Sequence, residues 1–68
     1  MNMQITVNNK QHKISEGATI AALILELGYN QKGVAVAIDN TVILRSQWEN
    51  YVLSEGTILI IFQATQGG

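Results

Sequence analysis

The chain has 68 residues, no Cys and a single His, so it is predicted to form one small domain whose core is not held by disulfides. Four basic and five acidic residues give a net charge of −1, which argues against the concentrated positive patch that nucleic-acid binding requires. No apolar stretch approaches the ~20 residues that span a bilayer, so we expect a cytoplasmic protein, or one of the plastid stroma if it is organellar. Only 13% of the residues are charged, which indicates that some apolar surface is left for a partner.

The N-terminal segment predicts a β-hairpin. Apolar and polar residues alternate over residues 3–7, the pattern of a strand with one buried face. Asn8-Asn9-Lys10 supplies turn residues, and Gln11 to Ile14 can return as a more exposed strand. His12 in this second strand has no Cys, second His or acidic cluster at ligand spacing. We therefore expect a surface or edge position for it, with no metal site and no catalytic function.

A helix is predicted from Thr19 to Leu27. Thr19 is a good N-cap, and Gly28 stands where a helix terminator is expected. The large apolar residues between them, apart from Leu25, have the spacing of one helix face: Ile20, Leu23, Ile24 and Leu27. We expect this helix to pack across the sheet with Leu25 exposed.

The middle of the chain predicts a second hairpin. Residues 29–33 form a loop, and Val34 to Ile38 form a strand. Asp39-Asn40 is a tight-turn dipeptide, after which Thr41 to Leu44 can pair back.

The segment after this hairpin contains Ser46-Gln47-Trp48-Glu49, which has the form of a capping box and predicts a short helical turn. Trp48 is the only Trp in the chain. In so small a domain we expect its ring to fill the core rather than to bind a ligand.

The last predicted strand runs from Thr57 to Phe62 and shows no alternation, which favours burial on both faces and a central place in the sheet. The element order predicts an α+β roll of the β-grasp type, with a mixed four- to five-stranded sheet and one main helix packed on one face. Residues 1–62 would form this domain, and residues 63–68 a flexible C-terminal tail. If the last strand lies beside the first, the tail emerges from the middle of the sheet.

The tail is the candidate functional site. The sequence has no ionisable side chain after Glu55, so the α-carboxylate of Gly68 is the only charge in the final 13 residues, and it is ionised at neutral pH. Gly67 and Gly68 lack a Cβ, which lets the end of the chain enter a narrow slot. The sequence shows no nucleophile and base set, phosphate loop or metal spacing. We therefore expect a substrate of other enzymes rather than an enzyme.

Several motifs carry a family resemblance over essentially the whole length. They are Arg45-x-x-Trp48, the Glu55-Gly56 turn, the Phe62-Gln63 exit from the last strand, and the terminal Gly67-Gly68. Together they resemble the ThiS family of sulfur carriers in thiamine thiazole biosynthesis, which have a ubiquitin-like β-grasp fold. The chain departs from the family pattern at Leu44, where Pro is usual, and at Thr57, where Asp is usual. Both positions are in turns, so the departures concern local geometry more than the reaction.

The resemblance implies a reaction cycle at Gly68. A ThiF-like adenylating enzyme would use ATP and Mg to convert its carboxylate into an acyl-adenylate. Sulfur from a cysteine desulfurase or a rhodanese-like donor would then give a thiocarboxylate, 1-thioglycine, which a ThiG-like thiazole synthase would accept. The carrier itself would bind no cofactor. Gly67 would serve as a spacer, the open sheet face near Phe62 would dock, and the partner channels would receive Gln63, Ala64, Thr65 and Gln66.

Three alternatives stay open on the residues alone. The small subunit of molybdopterin synthase uses the same kind of tail, although its relatives are usually longer and contain more Pro near the last strand. A ubiquitin-like modifier would be conjugated to lysines and would give ladders of adducts on denaturing gels. A β-grasp interaction module with no reaction at its end would never gain sulfur.

Overall fold

The computed structural model describes residues 1–63, which form five strands and one α-helix. In chain order these are β1 Asn2–Val7, β2 Lys10–Ser15, α1 Ile20–Leu27, β3 Val34–Ile38, β4 Thr41–Ile43 and β5 Ile58–Gln63.

Two tight turns form the predicted hairpins. Asn8 and Asn9 between β1 and β2 both have positive φ, at 52° and 70°. Asp39 and Asn40 between β3 and β4 have φ of 53° and 64°. Two successive residues with positive φ are typical of the type I′ turn, whose twist matches that of the flanking strands. Both predicted turns are confirmed.

β5 occupies the centre of the sheet, whose strand order is β2-β1-β5-β3-β4. It runs parallel to β1, with Thr6 opposite Ile58 and Val7 opposite Leu59. It runs antiparallel to β3, from Ile38 opposite Leu59 to Val34 opposite Gln63. The predicted mixed sheet, with the last strand beside the first, is confirmed.

A single apolar core fills the space between one face of the sheet and α1. Among residues 1–63, fourteen buried side chains form it: Met3, Ile5, Val7, Ile14, Ile20, Leu23, Ile24, Val36, Ile38, Ile43, Trp48, Leu53, Leu59 and Ile61. Trp48 is only 2% exposed, which confirms its predicted place in the core. Burial of these side chains is the main stabilising contribution to the fold, since no disulfide is possible.

The helix ends as predicted. The hydroxyl oxygen of Thr19 accepts a hydrogen bond from the backbone N–H of Ala22 at 3.2 Å. Gly28 has φ 82° and donates its N–H back to the last turn, as a C-terminal glycine in the left-handed region does. Leu25 is 74% exposed, in agreement with its place off the apolar stripe.

The loop after β4 also caps the N-terminus of α1, which the sequence did not predict. The N–H of Ile20 donates to the carbonyl of Tyr51 at 3.0 Å, and that of Ala21 to the carbonyl of Trp48 at 3.2 Å. The first N–H groups of a helix have no partner within the helix. Residues 48–51 therefore supply acceptors that local sequence around Thr19 lacks.

The predicted short helical turn is present, but the capping box predicted over Ser46 to Glu49 is wrong. A 3₁₀ turn covers Arg45–Gln47 and begins directly after Leu44. The side-chain oxygen of Gln47 accepts the N–H of Leu44 at 3.3 Å. Because β4 ends at Ile43, one residue earlier than predicted, the chain turns before Ser46 can act as a cap. A second 3₁₀ turn, Gln31–Gly33, lies in the predicted loop before β3.

Burial of the last strand on both faces is also wrong. Leu59 and Ile61 are buried, whereas Ile58, Ile60 and Phe62 are 61%, 52% and 44% exposed. The one α-helix of residues 1–63 covers one face of the sheet, so alternate side chains of β5 face outward.

Within the same residues, no helix is long and apolar enough to cross a membrane.

Candidate functional site

The described part of the predicted site is the end of β5. Phe62 lies opposite Ala35, and Gln63 lies opposite Val34 at the last register position. β5 thus continues one residue into the predicted tail. The other predicted site residues, Ala64, Thr65, Gln66, Gly67 and Gly68, lie outside the described residues.

An apolar patch covers the outer face of the sheet beside this end. We define the outer patch as the outward side chains of β3, β4 and β5: Ala35, Ala37, Val42, Ile58, Ile60 and Phe62. The strand register places these side chains next to one another: Ala37 of β3 lies opposite Ile60 of β5 on one side and opposite Val42 of β4 on the other. None of the six side chains carries a charge or a hydrogen-bonding group, so water in contact with them can be displaced at little cost in polar interactions.

The other half of the outer face is polar. Gln4 and Thr6 of β1 lie opposite Lys13 and Gln11 of β2. The side-chain N–H of Gln4 donates to the side-chain oxygen of Gln11 at 2.6 Å. The outer face therefore changes from amide, hydroxyl and ammonium groups on β1 and β2 to aliphatic and aromatic groups on β5, β3 and β4.

The turn before β5 is fastened to β1 by the backbone of Gln4. Its N–H donates to a carboxylate oxygen of Glu55 at 3.1 Å, and its carbonyl accepts the N–H of Gly56 at 2.7 Å. The hydroxyl of Thr57 accepts the N–H of Ser54 at 3.2 Å. These bonds set the point at which β5 enters the sheet.

The second half of β5 is held at Ile61 by Asn8, a residue that the sequence marked only as part of a turn. Its side-chain oxygen accepts the N–H of Ile61 at 2.8 Å, and its side-chain N–H₂ donates to the carbonyl of the same residue at 3.0 Å. A turn Asn adjoining a strand was the only signal in the sequence, because the partner lies 53 positions away.

His12 lies on β2 at the side of the sheet that faces α1, opposite Ile5. Its Nε2 is 3.1 Å from a carboxylate oxygen of Glu26, and both side chains are partly exposed. The contact joins the edge strand to the helix.

In the part of the chain that the structure describes, no group of three or more acidic, His or Cys side chains could hold a metal ion.

The comparison with known proteins gives the family. The model of the ThiS family matches residues 2–68. The chain belongs to the ThiS family. The sulfur carrier protein ThiS of Escherichia coli (strain K12) is 32% identical to it over 66 residues, which cover 97% of this chain and 100% of that protein.

A solved structure agrees with the fold. The crystal structure of the thiamine biosynthesis protein ThiS from Geobacter metallireducens superposes with a TM-score of 0.82, covering 97% of this chain and 100% of that one. At 23% identity this similarity is evidence for the shared β-grasp fold alone. The predicted fold and family are both confirmed.

The two departures from the usual ThiS pattern fit the geometry of their turns. Leu44 has φ −63°, a value that Pro also adopts, so the backbone keeps the conformation that suits the usual residue. Thr57 accepts a hydrogen bond through its side-chain oxygen, as an Asp at the same position also can.

Proposed function

We propose that this protein is a sulfur carrier whose C-terminal residue, Gly68, is adenylated and then converted to a thiocarboxylate for thiamine thiazole synthesis. The observation that carries the proposal is the ThiS family match, which extends through the terminal Gly67-Gly68. The relative matched over its whole length is named a sulfur carrier. The protein would act as a co-substrate and bind no cofactor of its own.

The first step activates the carboxylate. An oxygen of the Gly68 carboxylate attacks the α-phosphorus of ATP, forms an acyl-adenylate and releases pyrophosphate. The ATP and its Mg²⁺ are held by a ThiF-like adenylating enzyme. Adenylation is required because a carboxylate is a poor electrophile and AMP is a good leaving group.

The second step introduces sulfur. The terminal sulfur of a persulfide, supplied by a cysteine desulfurase or a rhodanese-like donor, attacks the acyl carbon and expels AMP. An acyl disulfide results, and a dithiol reduces its S–S bond to release the thiocarboxylate and the donor thiolate. A ThiG-like thiazole synthase then takes the sulfur. We place this cycle in the cytoplasm, or in the plastid stroma if the protein is organellar.

The composition of the C-terminal segment suits this chemistry. It has no ionisable side chain after Glu55, so no side-chain carboxylate in this segment can compete with the Gly68 carboxylate as the nucleophile that attacks the α-phosphorus. Gly67 acts as a spacer without a Cβ, which allows the acyl carbon to be approached closely. The channel of the partner enzyme would receive Gln63, Ala64, Thr65 and Gln66.

The outer patch is the proposed docking surface for the adenylating enzyme. It reaches the end of β5 at Phe62, so a partner bound there lies beside the point from which the tail continues. The absence of charge among its six side chains limits the desolvation penalty on binding. The polar half of the outer face, which includes Lys13, would form the rim.

Intact-mass measurement of the protein from its native cell tests the proposal. We expect a fraction in which one oxygen is replaced by sulfur, located at Gly68 by fragmentation after alkylation of the thiocarboxylate. The control is the same protein from a strain that lacks the adenylating enzyme, in which this fraction should be absent. If no sulfur is found while the adenylating enzyme and sulfur donor are present, the proposal is wrong.

A further inference from the structure

β1 pairs with only the first part of β5. The two parallel registers are Thr6 with Ile58 and Val7 with Leu59. The N–H of Asn8 makes one more bond, to the carbonyl of Leu59 at 3.1 Å. The chain then turns into the hairpin, so the backbone of β1 no longer reaches the last residues of β5.

The side chain of Asn8 continues the ladder where the backbone of β1 stops. At Ile61 the carboxamide accepts the N–H and donates to the carbonyl, at 2.8 Å and 3.0 Å. These are the two backbone groups that the backbone of β1 would satisfy if the strand continued. A carboxamide provides both a donor and an acceptor, whereas the carboxylate of Asp provides acceptors alone.

The backbone of Asn8 makes this reach possible. Its φ is 52°, in the left-handed region that Asn tolerates better than most residues. The turn therefore directs the short side chain across to β5 instead of along β1. Asn9, the other turn residue, has a similar φ of 70°, so the two residues share a backbone conformation while Asn8 makes the bonds to Ile61.

We propose that Asn8 is a positioning residue for the reaction at Gly68, an inference that rests on the proposed function. Its amide holds Ile61 on the side that β1 has left, so that β5 keeps its place in the sheet up to Gln63. Without this amide, residues 60–63 are held by β3 on one side. Residues 64–68 then continue from a strand end of fixed position and direction when the outer patch is docked.

Docking and positioning should therefore affect different kinetic constants of the adenylation reaction. The outer patch determines how tightly the carrier binds, which governs KM when dissociation is fast. Asn8 determines the fraction of bound carriers whose terminus reaches the α-phosphate, which governs kcat. A merely structural residue would instead lower the amount of folded carrier and raise the apparent KM with kcat unchanged.

Three variants of the full chain separate these possibilities. Asn8→Gly keeps a residue suited to positive φ and removes the amide. Asn8→Asp keeps the acceptor for the N–H of Ile61 and places a carboxylate against its carbonyl. Asn9→Gly is the matched control, because it makes the same change one position along the turn.

Two measurements are made on each variant at a temperature below its thermal unfolding midpoint. Amide hydrogen exchange at Ile61 should be about tenfold faster in Asn8→Gly, since its hydrogen bond is lost, and unchanged in Asn9→Gly. In ATP–pyrophosphate exchange with the cognate adenylating enzyme, kcat should fall about three- to tenfold for Asn8→Gly and Asn8→Asp. Their KM should stay within about twofold of the parent value.

Equal kcat for Asn8→Gly and Asn9→Gly, with the parent protein active, overturns the inference even if exchange at Ile61 is faster. A rise in apparent KM with kcat unchanged overturns it as well, because that is the signature of lost folding. A parent protein that the adenylating enzyme does not activate overturns the proposed function, and the inference with it.

Discussion

Trp48 donates its indole N–H to the backbone carbonyl of Ile43 at 2.9 Å. Its own backbone carbonyl accepts the N–H of Ala21 at the start of α1. One residue thus connects the end of β4 to the first turn of the helix, while its ring fills the core. A buried N–H with a partner of this geometry stabilises the fold in addition to the area that the ring removes from water.

Trp48→Ala should lower the free energy of unfolding by about 3–5 kcal/mol, which is comparable to the total stability of many small domains. The loss combines the apolar area of the ring with the cavity that it leaves. Urea denaturation followed by circular dichroism measures it. A variant with an unchanged midpoint that fails to bind the adenylating enzyme would place Trp48 in the interface instead.

Trp48→Phe separates the hydrogen bond from the packing. It keeps an aromatic ring and leaves the carbonyl of Ile43 without the indole N–H, at an expected cost of about 1–3 kcal/mol. We therefore expect its unfolding midpoint to fall between those of the parent and Trp48→Ala. A midpoint equal to that of the alanine variant would show that a phenyl ring at this position contributes no packing, and would contradict the prediction.

Ile60→Gln should weaken docking. Ile60 is half exposed at the centre of the outer patch, and burying its remaining apolar surface against a partner is expected to contribute about 1 kcal/mol. KM for the carrier in ATP–pyrophosphate exchange should rise about fivefold, with kcat unchanged.

Leu25→Gln is the matched control for Ile60→Gln. Leu25 is a still more exposed aliphatic residue, and it lies on α1, which packs against the opposite face of the sheet. The KM measured for the Leu25→Gln carrier should equal that of the parent protein. If both variants raise KM alike, the outer patch is not the docking surface.

Gly28→Ala tests the helix terminator. Gly28 has φ 82°, and a Cβ added there would meet open space. The expected loss of about 1–2 kcal/mol therefore comes from the left-handed backbone and not from a clash. Gly33→Ala, where a Cβ also meets open space and φ is not left-handed, should change stability by less than about 0.5 kcal/mol. Thermal melts that shift equally would show that backbone strain at Gly28 is negligible.

Extending the chain by one Ala after Gly68 should greatly lower the rate of adenylation. The extension moves the carboxylate by up to ~3.6 Å and places a Cβ beside the acyl carbon. A displacement of ~1 Å can cost on the order of a hundredfold in rate when reacting groups must be aligned. The unfolding curve should be unchanged, because the addition leaves the core intact. Adenylation at the parent rate would show that the Gly-Gly end is passive.

Local features of the fold were determined by the sequence alone. The β1 alternation, the Asn8-Asn9 and Asp39-Asn40 turns, and the limits of α1 at Thr19 and Gly28 each depend on neighbouring residues, and all are confirmed. The family also followed from local motifs such as Arg45-x-x-Trp48. These patterns are informative because backbone conformation over a few residues is governed by steric and hydrogen-bonding preferences of those residues.

The tertiary structure alone decided which side of β5 is covered and which residue secures its end. The run from Ile58 to Phe62 is apolar throughout, and hydrophobicity cannot distinguish a side chain packed under a helix from one left for a partner. In the part of the chain that the structure describes, one α-helix covers one face of the sheet, so Ile58, Ile60 and Phe62 face outward. Asn8 meets Ile61 only because the parallel pairing of β1 and β5 brings positions 53 residues apart together, and no local preference specifies a contact of that range.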